Sequence, residues 1–130
     1  MSFKFGTGSL KKLEGVDKRL ADVLKEAISL SPVDFCIVEG LRTLERQKEL
    51  VKEGRSRTLK GKHLEGKAVD VCACVPKVDF NATVDTALIV GIIYAIANKR
   101  GLKLRLGALW GGHSYANNSF KDLYHIELVN

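Results

Sequence analysis

The octapeptide AVDVCACV, Ala68 to Val75, limits the folds open to this chain more than any other stretch. Its β-branched and small apolar residues suit a strand packed inside a domain, yet Asp70 stands in the middle of it. A carboxylate is costly to bury unless it is paired, hydrogen-bonded or bound to a cation. The strand is therefore expected to carry one charge inward, and the rest of the fold to compensate it.

The flanking pattern supplies the other elements. Asp17 is a plausible N-cap, and Leu20, Val23, Leu24, Ala27 and Ile28 follow it at helical spacing. DFCIVEGLR reads as a strand ending near Gly40, and Thr43 can cap a short helix running through Glu53 to a stop at Gly54. The basic segment Arg55 to Lys67 reads as a loop. Val84 to Arg100 is apolar nearly all round and ends at Gly101, as a helix packed across a sheet would. LKLRL and LYHIELV complete the strands, separated by GGHSYANNS. Strands and helices do not alternate regularly, which favours an α+β domain: a small, mostly antiparallel sheet flanked by helices. With 130 residues, 45% of them hydrophobic, residues 1–130 are expected to form a single domain.

The longest apolar run, Ala87 to Ala97, is too short to span a bilayer, so no membrane anchor is expected. MSFKFGTGSLKKLEG lacks the apolar core and cleavage site of a secretory signal. The chain is expected to fold in a cytoplasm, with its three cysteines reduced. A formal charge of +6 favours an anionic partner, either a nucleic acid or an acidic polymer such as a bacterial cell wall.

The compensation for Asp70 has a candidate in the same stretch. In KHLEGKAVDV, His63 lies in the loop before the strand, and Gly66 allows a turn that brings its imidazole back toward Asp70. In DLYHIEL, alternation places His125 and Glu127 on one face of the last strand, which offers a third ligand on a rigid element. Two histidines and a carboxylate with an open position make a hydrolytic zinc site. Asp122, three residues before His125, is placed to take a proton from the attacking water. Each residue also has an ordinary reading. Asp70 can pair with Arg42, Arg42 with Glu39 or Glu45, and Asp122 can end the loop with a backbone hydrogen bond. Cys72 and Cys74, on the face of Asp70, offer a thiolate-rich alternative with His63. Glu127 can fix a ligand imidazole or form a plain salt bridge.

Three blocks carry a resemblance to a known family. KHLEGKAVDV resembles the S-x-H-x-x-G-x-A-x-D signature of the zinc peptidases that include D-alanyl-D-alanine carboxypeptidases, vancomycin-resistance dipeptidases and phage L-alanyl-D-glutamate endopeptidases. WGGHSYANNSFKDLYHIEL resembles the second family block, and VEGLRTLERQ the segment with the substrate arginine. They arrive in the family's order over Val38 to Leu128 and leave the first helix outside; the compact domain looks most like a phage endolysin.

The resemblance implies a Hedgehog- and DD-peptidase-like fold and one zinc ion on His63, Asp70 and His125. It implies Asp122 as general base and Arg42 as the residue that binds substrate and steadies the oxyanion. Trp110 and His113 are implied at the substrate, with Gly111 and Gly112 shaping the cleft; Gln47, on the helix after Arg42, is implied either at the substrate or as a support for that arginine. Gly61 stands where the family has serine, and His113 where it has aspartate. The expected partner is bacterial peptidoglycan, met by a monomer held in the host cytoplasm until lysis and then acting on the wall in the periplasm. The alternatives are a D-alanyl-D-alanine carboxypeptidase or dipeptidase and, from another class, a basic nucleic-acid-binding module with structural zinc. A nucleic-acid partner is not expected, because the basic loop has no interleaved aromatics.

Overall fold

The computed structural model describes residues 2–54, 62–109 and 122–129. In chain order the elements are α1 (Thr7–Lys12), α2 (Lys18–Leu30), β1 (Phe35–Glu39), α3 (Leu44–Lys52), β2 (Ala68–Ala73), α4 (Thr83–Lys99), β3 (Leu104–Leu106) and β4 (His125–Leu128). The strands form one sheet of order β1-β2-β4-β3, and every neighbouring pair is antiparallel. This is the expected α+β architecture.

Side-chain alternation divides the sheet into two unlike faces. Phe35, Ile37, Val69, Val71, Ala73, Ile126 and Leu128 point to one side and join the apolar core with α2 and α4. On α2 the residues that the periodicity indicates are buried, together with Ala21, and Asp17 caps the helix by accepting from the Arg19 backbone N–H. Leu20, Leu24, Ile89 and Ile93 are fully enclosed, each burial contributing about 1.5–3 kcal/mol. Asp70 does not point into this core. It faces the opposite side of the sheet, with Cys72, His125 and Glu127 on neighbouring same-face positions. The carboxylate is thus enclosed by polar groups rather than by the apolar layer.

The sequence pattern gave no sign of α1, because TGSLKK has no apolar stripe of helical period. Its role lies at the sheet edge. The Ser9 hydroxyl accepts a 3.0 Å hydrogen bond from the Ile37 N–H of edge strand β1. At the end of β2, the Thr86 hydroxyl of α4 does the same for the Ala73 N–H, at 3.1 Å. Both backbone donors would otherwise be buried without partners.

Candidate metal centre and active site

Three elements deliver the polar cluster. Asp70 and His125 lie directly opposite each other across the β2–β4 ladder, on the face away from the core. His63 comes from the turn before β2, where Gly66 adopts a φ of +71° and an added Cβ would stand 2.4 Å from the Gly15 carbonyl oxygen. Only glycine accepts that backbone at low cost, which fixes the return of the loop toward the strand.

The facing atoms form a nearly equilateral triangle. His63 Nε2 lies 3.2 Å from His125 Nδ1, and each of those nitrogens lies 3.3 Å from Asp70 Oδ1. Asp70 Oδ1 is buried and has no hydrogen-bond partner among the described residues. An orphaned buried carboxylate oxygen between two imidazole nitrogens is the feature a cation would satisfy. Among the described residues, His63, Asp70 and His125 form a group that could hold a metal ion.

The outer nitrogens are also fixed. His63 Nδ1 donates to the Gly40 carbonyl at 2.9 Å, leaving Nε2 to face the triangle. His125 Nε2 donates to Glu127 Oε1 at 2.8 Å, leaving Nδ1 inward. Such outer hydrogen bonds select the tautomer and orient the ring of a metal-binding histidine. Glu127 thus takes the imidazole-fixing role, with Arg105 opposite it on β3.

The charges of the cluster follow from this packing. Burial opposes ionisation of Asp70, but the His125 and His63 imidazoles outweigh it and hold its carboxyl well below the ordinary carboxylate range. Burial also works against a charged His125, yet Asp70 and Glu127 on either side raise its pKa to about 9. For Asp122 burial comes first and the negative Asp70 second, and both push its pKa up. Its backbone is tied in place as well: the Asp122 N–H donates to the Gly107 carbonyl, and its own carbonyl accepts from the His125 N–H, both at 3.2 Å. Gly107 is closely packed there, since an added Cβ would stand 2.2 Å from the Asp122 carbonyl oxygen.

Arg42 borders the cluster, held from two sides. Its Nε and Nη2 donate to the two carboxylate oxygens of Glu39 at 2.9 and 2.7 Å, and its Nη1 donates to Gln47 Oε1 at 2.7 Å. The expected pairing with Glu39 therefore exists. It does not draw the guanidinium away, because Nη2 remains 4.0 Å from Asp70 Oδ2. A register shift in β1 between Ile37 and Glu39 makes this possible by placing Glu39 opposite Asp70. Gln47, expected at the substrate, is 1% exposed. Its Oε1 holds Arg42, the supporting role also read from the resemblance.

The thiolate alternative does not form. Cys72 shares the face of Asp70 but lies two residues farther along β2, about 7 Å away, opposite Cys36 rather than beside the histidines. All three cysteines are free thiols, and burial raises the pKa of each, that of Cys36 to about 12. Trp110, His113, Gly61, Gly111 and Gly112 lie outside the described residues.

Sequence reading missed Gly40 and Gly107. Each acts through its backbone or its lack of a side chain, and such a role leaves no chemical signature in the sequence.

Comparison with known proteins points in one direction. The family model described as phage L-alanyl-D-glutamate peptidase matches residues 1–129, so the likeness extends through α1 and α2 beyond the three motif blocks. The chain is 34% identical over 137 residues to the L-alanyl-D-glutamate peptidase of Escherichia phage T5, covering 99% of this chain and all of that protein. Among solved structures, the Serratia marcescens L-Ala D-Glu endopeptidase ChiX superposes with a TM-score of 0.85 at 33% identity, over 98% of this chain and 91% of that one. The LD-carboxypeptidase LdcB shares the fold, with a TM-score of 0.58 at 19% identity over 88% of this chain and 59% of that one.

Proposed function

Because the chain belongs to the phage L-alanyl-D-glutamate peptidase family, we propose that it is a zinc-dependent peptidoglycan hydrolase that cuts the L-alanyl-D-glutamate bond of the stem peptide. The observation that carries the zinc assignment is the triangle of His63, Asp70 and His125. Ligand atoms held about 2.0–2.1 Å from a tetrahedral zinc stand about 3.3 Å apart. The edges here are 3.2, 3.3 and 3.3 Å. Two nitrogens and one carboxylate oxygen are also the donor types of a catalytic zinc site with an open position.

Bound zinc would lower the pKa of a water to about 7 and polarise the scissile carbonyl. The chain's own residues do the rest. Asp122, with its pKa raised by burial and by Asp70, is suited to take the attacking water's proton and pass it to the leaving amine. Arg42 presents a permanent positive charge to the oxyanion, and Glu39 and Gln47 hold it so that no reorganisation is required at that moment. Trp110 and His113 are proposed to bind substrate, as the family resemblance implies. The protein works as a monomer, waits in the host cytoplasm and meets the wall on lysis. No helix among the described residues is long and apolar enough to cross a membrane.

The test is digestion of defined peptidoglycan by the zinc-loaded protein, with and without chelator, followed by mass spectrometry of the products. New D-glutamate amino termini that vanish with chelator are expected. Release of D-alanine instead would assign the chain to the carboxypeptidase reaction, and no cleavage in either condition would overturn the reading.

A further inference from the structure

A second charged feature lies beside the candidate metal centre. A cleft of about 590 Å³ opens between the last turn of α1 and the connection from β1 to α3. Lys11, Lys12 and Arg46 line it, together with Glu14 and Glu39. Both carboxylate oxygens of Glu39 are engaged by Arg42, which compensates its charge. Among the described residues, Lys11 and Lys12 have no ion-pair partner, and Arg46 has only a 3.3 Å contact with the exposed Glu49. The cleft is therefore basic in balance.

Its shape is preset. An added Cβ on Gly40 would lie 1.9 Å from the Lys12 carbonyl oxygen, so only a glycine lets α1 seat this closely against the β1–α3 connection. The same Gly40 accepts the hydrogen bond from His63, and Glu39 joins the cleft wall to Arg42. A polymer lying in the cleft would thus run past the segment that holds both a metal ligand and the arginine. A basic protein has solvated lysines over much of its surface, but Lys11 and Lys12 line a cleft whose Gly40 accepts a hydrogen bond from His63.

We propose that this cleft is a second anion-binding subsite, in which Lys11, Lys12 and Arg46 take carboxylates of the peptidoglycan polymer away from the bond being cut. The inference rests on the peptidoglycan reading of the metal centre. It gives the enzyme a hold on the polymer that a short fragment cannot use. Binding energy taken from this remote contact lowers KM for polymer and leaves the chemical step unchanged.

The experiment compares wild type with Lys11→Gln/Lys12→Gln, an exposed pair outside the metal cluster, on two substrates. One is intact sacculi and the other a soluble fragment carrying a single stem peptide. On sacculi, KM should rise about five-fold at low salt with kcat unchanged, and the difference should shrink as salt is added. On the soluble fragment, both constants should match wild type. An unchanged KM on sacculi, or an equal rise on both substrates, overturns the proposal. Sacculi freed of phosphate polymers with hydrofluoric acid identify the anion. A difference that persists on them supports carboxylates, and its disappearance overturns that assignment. Sedimentation of the two proteins with sacculi reads the subsite without turnover. Weaker retention of the variant supports it, and equal retention overturns it, even if wild type cuts neither substrate and the peptidase reading itself fails.

Discussion

At the residue scale, the site joins a charge-dense triangle to groups that only orient it. Asp122, proposed for the proton transfer, is influenced electrostatically by Asp70, His125 and His63. Asp122→Asn should therefore lower kcat by about 10²–10⁴-fold while zinc stays bound, as measured by turnover and metal content of the same preparation. Glu127 accepts from His125 Nε2 and should act on affinity instead. Glu127→Gln is expected to weaken zinc binding about 10–100-fold in a chelator competition, with kcat largely kept at saturating metal. The metal-free protein makes a separate prediction about pH. His125 is raised from 6.5 to about 9 by Asp70 and Glu127 against the opposing effect of burial, so its protonated form favours the folded state. That contribution is complete below pH 6.5 and is lost as pH rises through 9. The depressed Asp70 contributes with the opposite sense, since its stabilisation is present above the ordinary carboxylate range and is lost in strong acid. Thermal melts of stripped protein should fall between pH 6.5 and 9, whereas zinc-loaded protein, whose ligand imidazoles are neutral, should lack that fall.

At the element scale, the site depends on how a turn, a bulged strand and a helix are placed. The turn before β2 carries His63, and its geometry rests on Gly66, with a φ of +71° and the Gly15 carbonyl oxygen where a Cβ would go. Gly66→Ala should cost about 1–3 kcal/mol by denaturant unfolding and also weaken zinc binding, because the strain falls on the loop that delivers a ligand. The shifted register of β1 sets Glu39 opposite Asp70 and thereby fixes Arg42. α1 was illegible because a six-residue helix without an apolar stripe has little local preference; its contacts with β1 hold it.

At the scale of the whole molecule, the sheet keeps its two tasks on opposite faces. One face, packed on α2 and α4, supplies the apolar burial, and the other holds the polar cluster. On the proposed zinc reading, metal binding should stabilise the entire fold, since the proposed ligands lie on β2, on β4 and in the turn before β2, and all must be in place for the ion to bind. Chelation should lower the melting temperature, and adding zinc back should restore it; a melt unmoved by either would remove the ion from this site. The charge of +6 belongs to this scale as well, because it favours encounter with an anionic polymer without specifying where that polymer binds.

The sequence by itself determined the α+β class, the main helices and strands, and the residue types of the site. Hydrophobic periodicity is a local property, and a carboxylate within an apolar strand calls for a partner wherever the chain leads. That need, joined to the family resemblance, led to His63, Asp70 and His125, which the structure brings together; the roles of Asp122 and Arg42 were read from the spacing and motifs around them and are proposals. Tertiary structure alone decided which face Asp70 takes. It also decided that the cysteines stand apart from the histidines, and that Gly40 and Gly107 shape the site through backbone contact. These outcomes depend on ångström-scale distances between segments far apart in the chain, and no local pattern of residues encodes such distances.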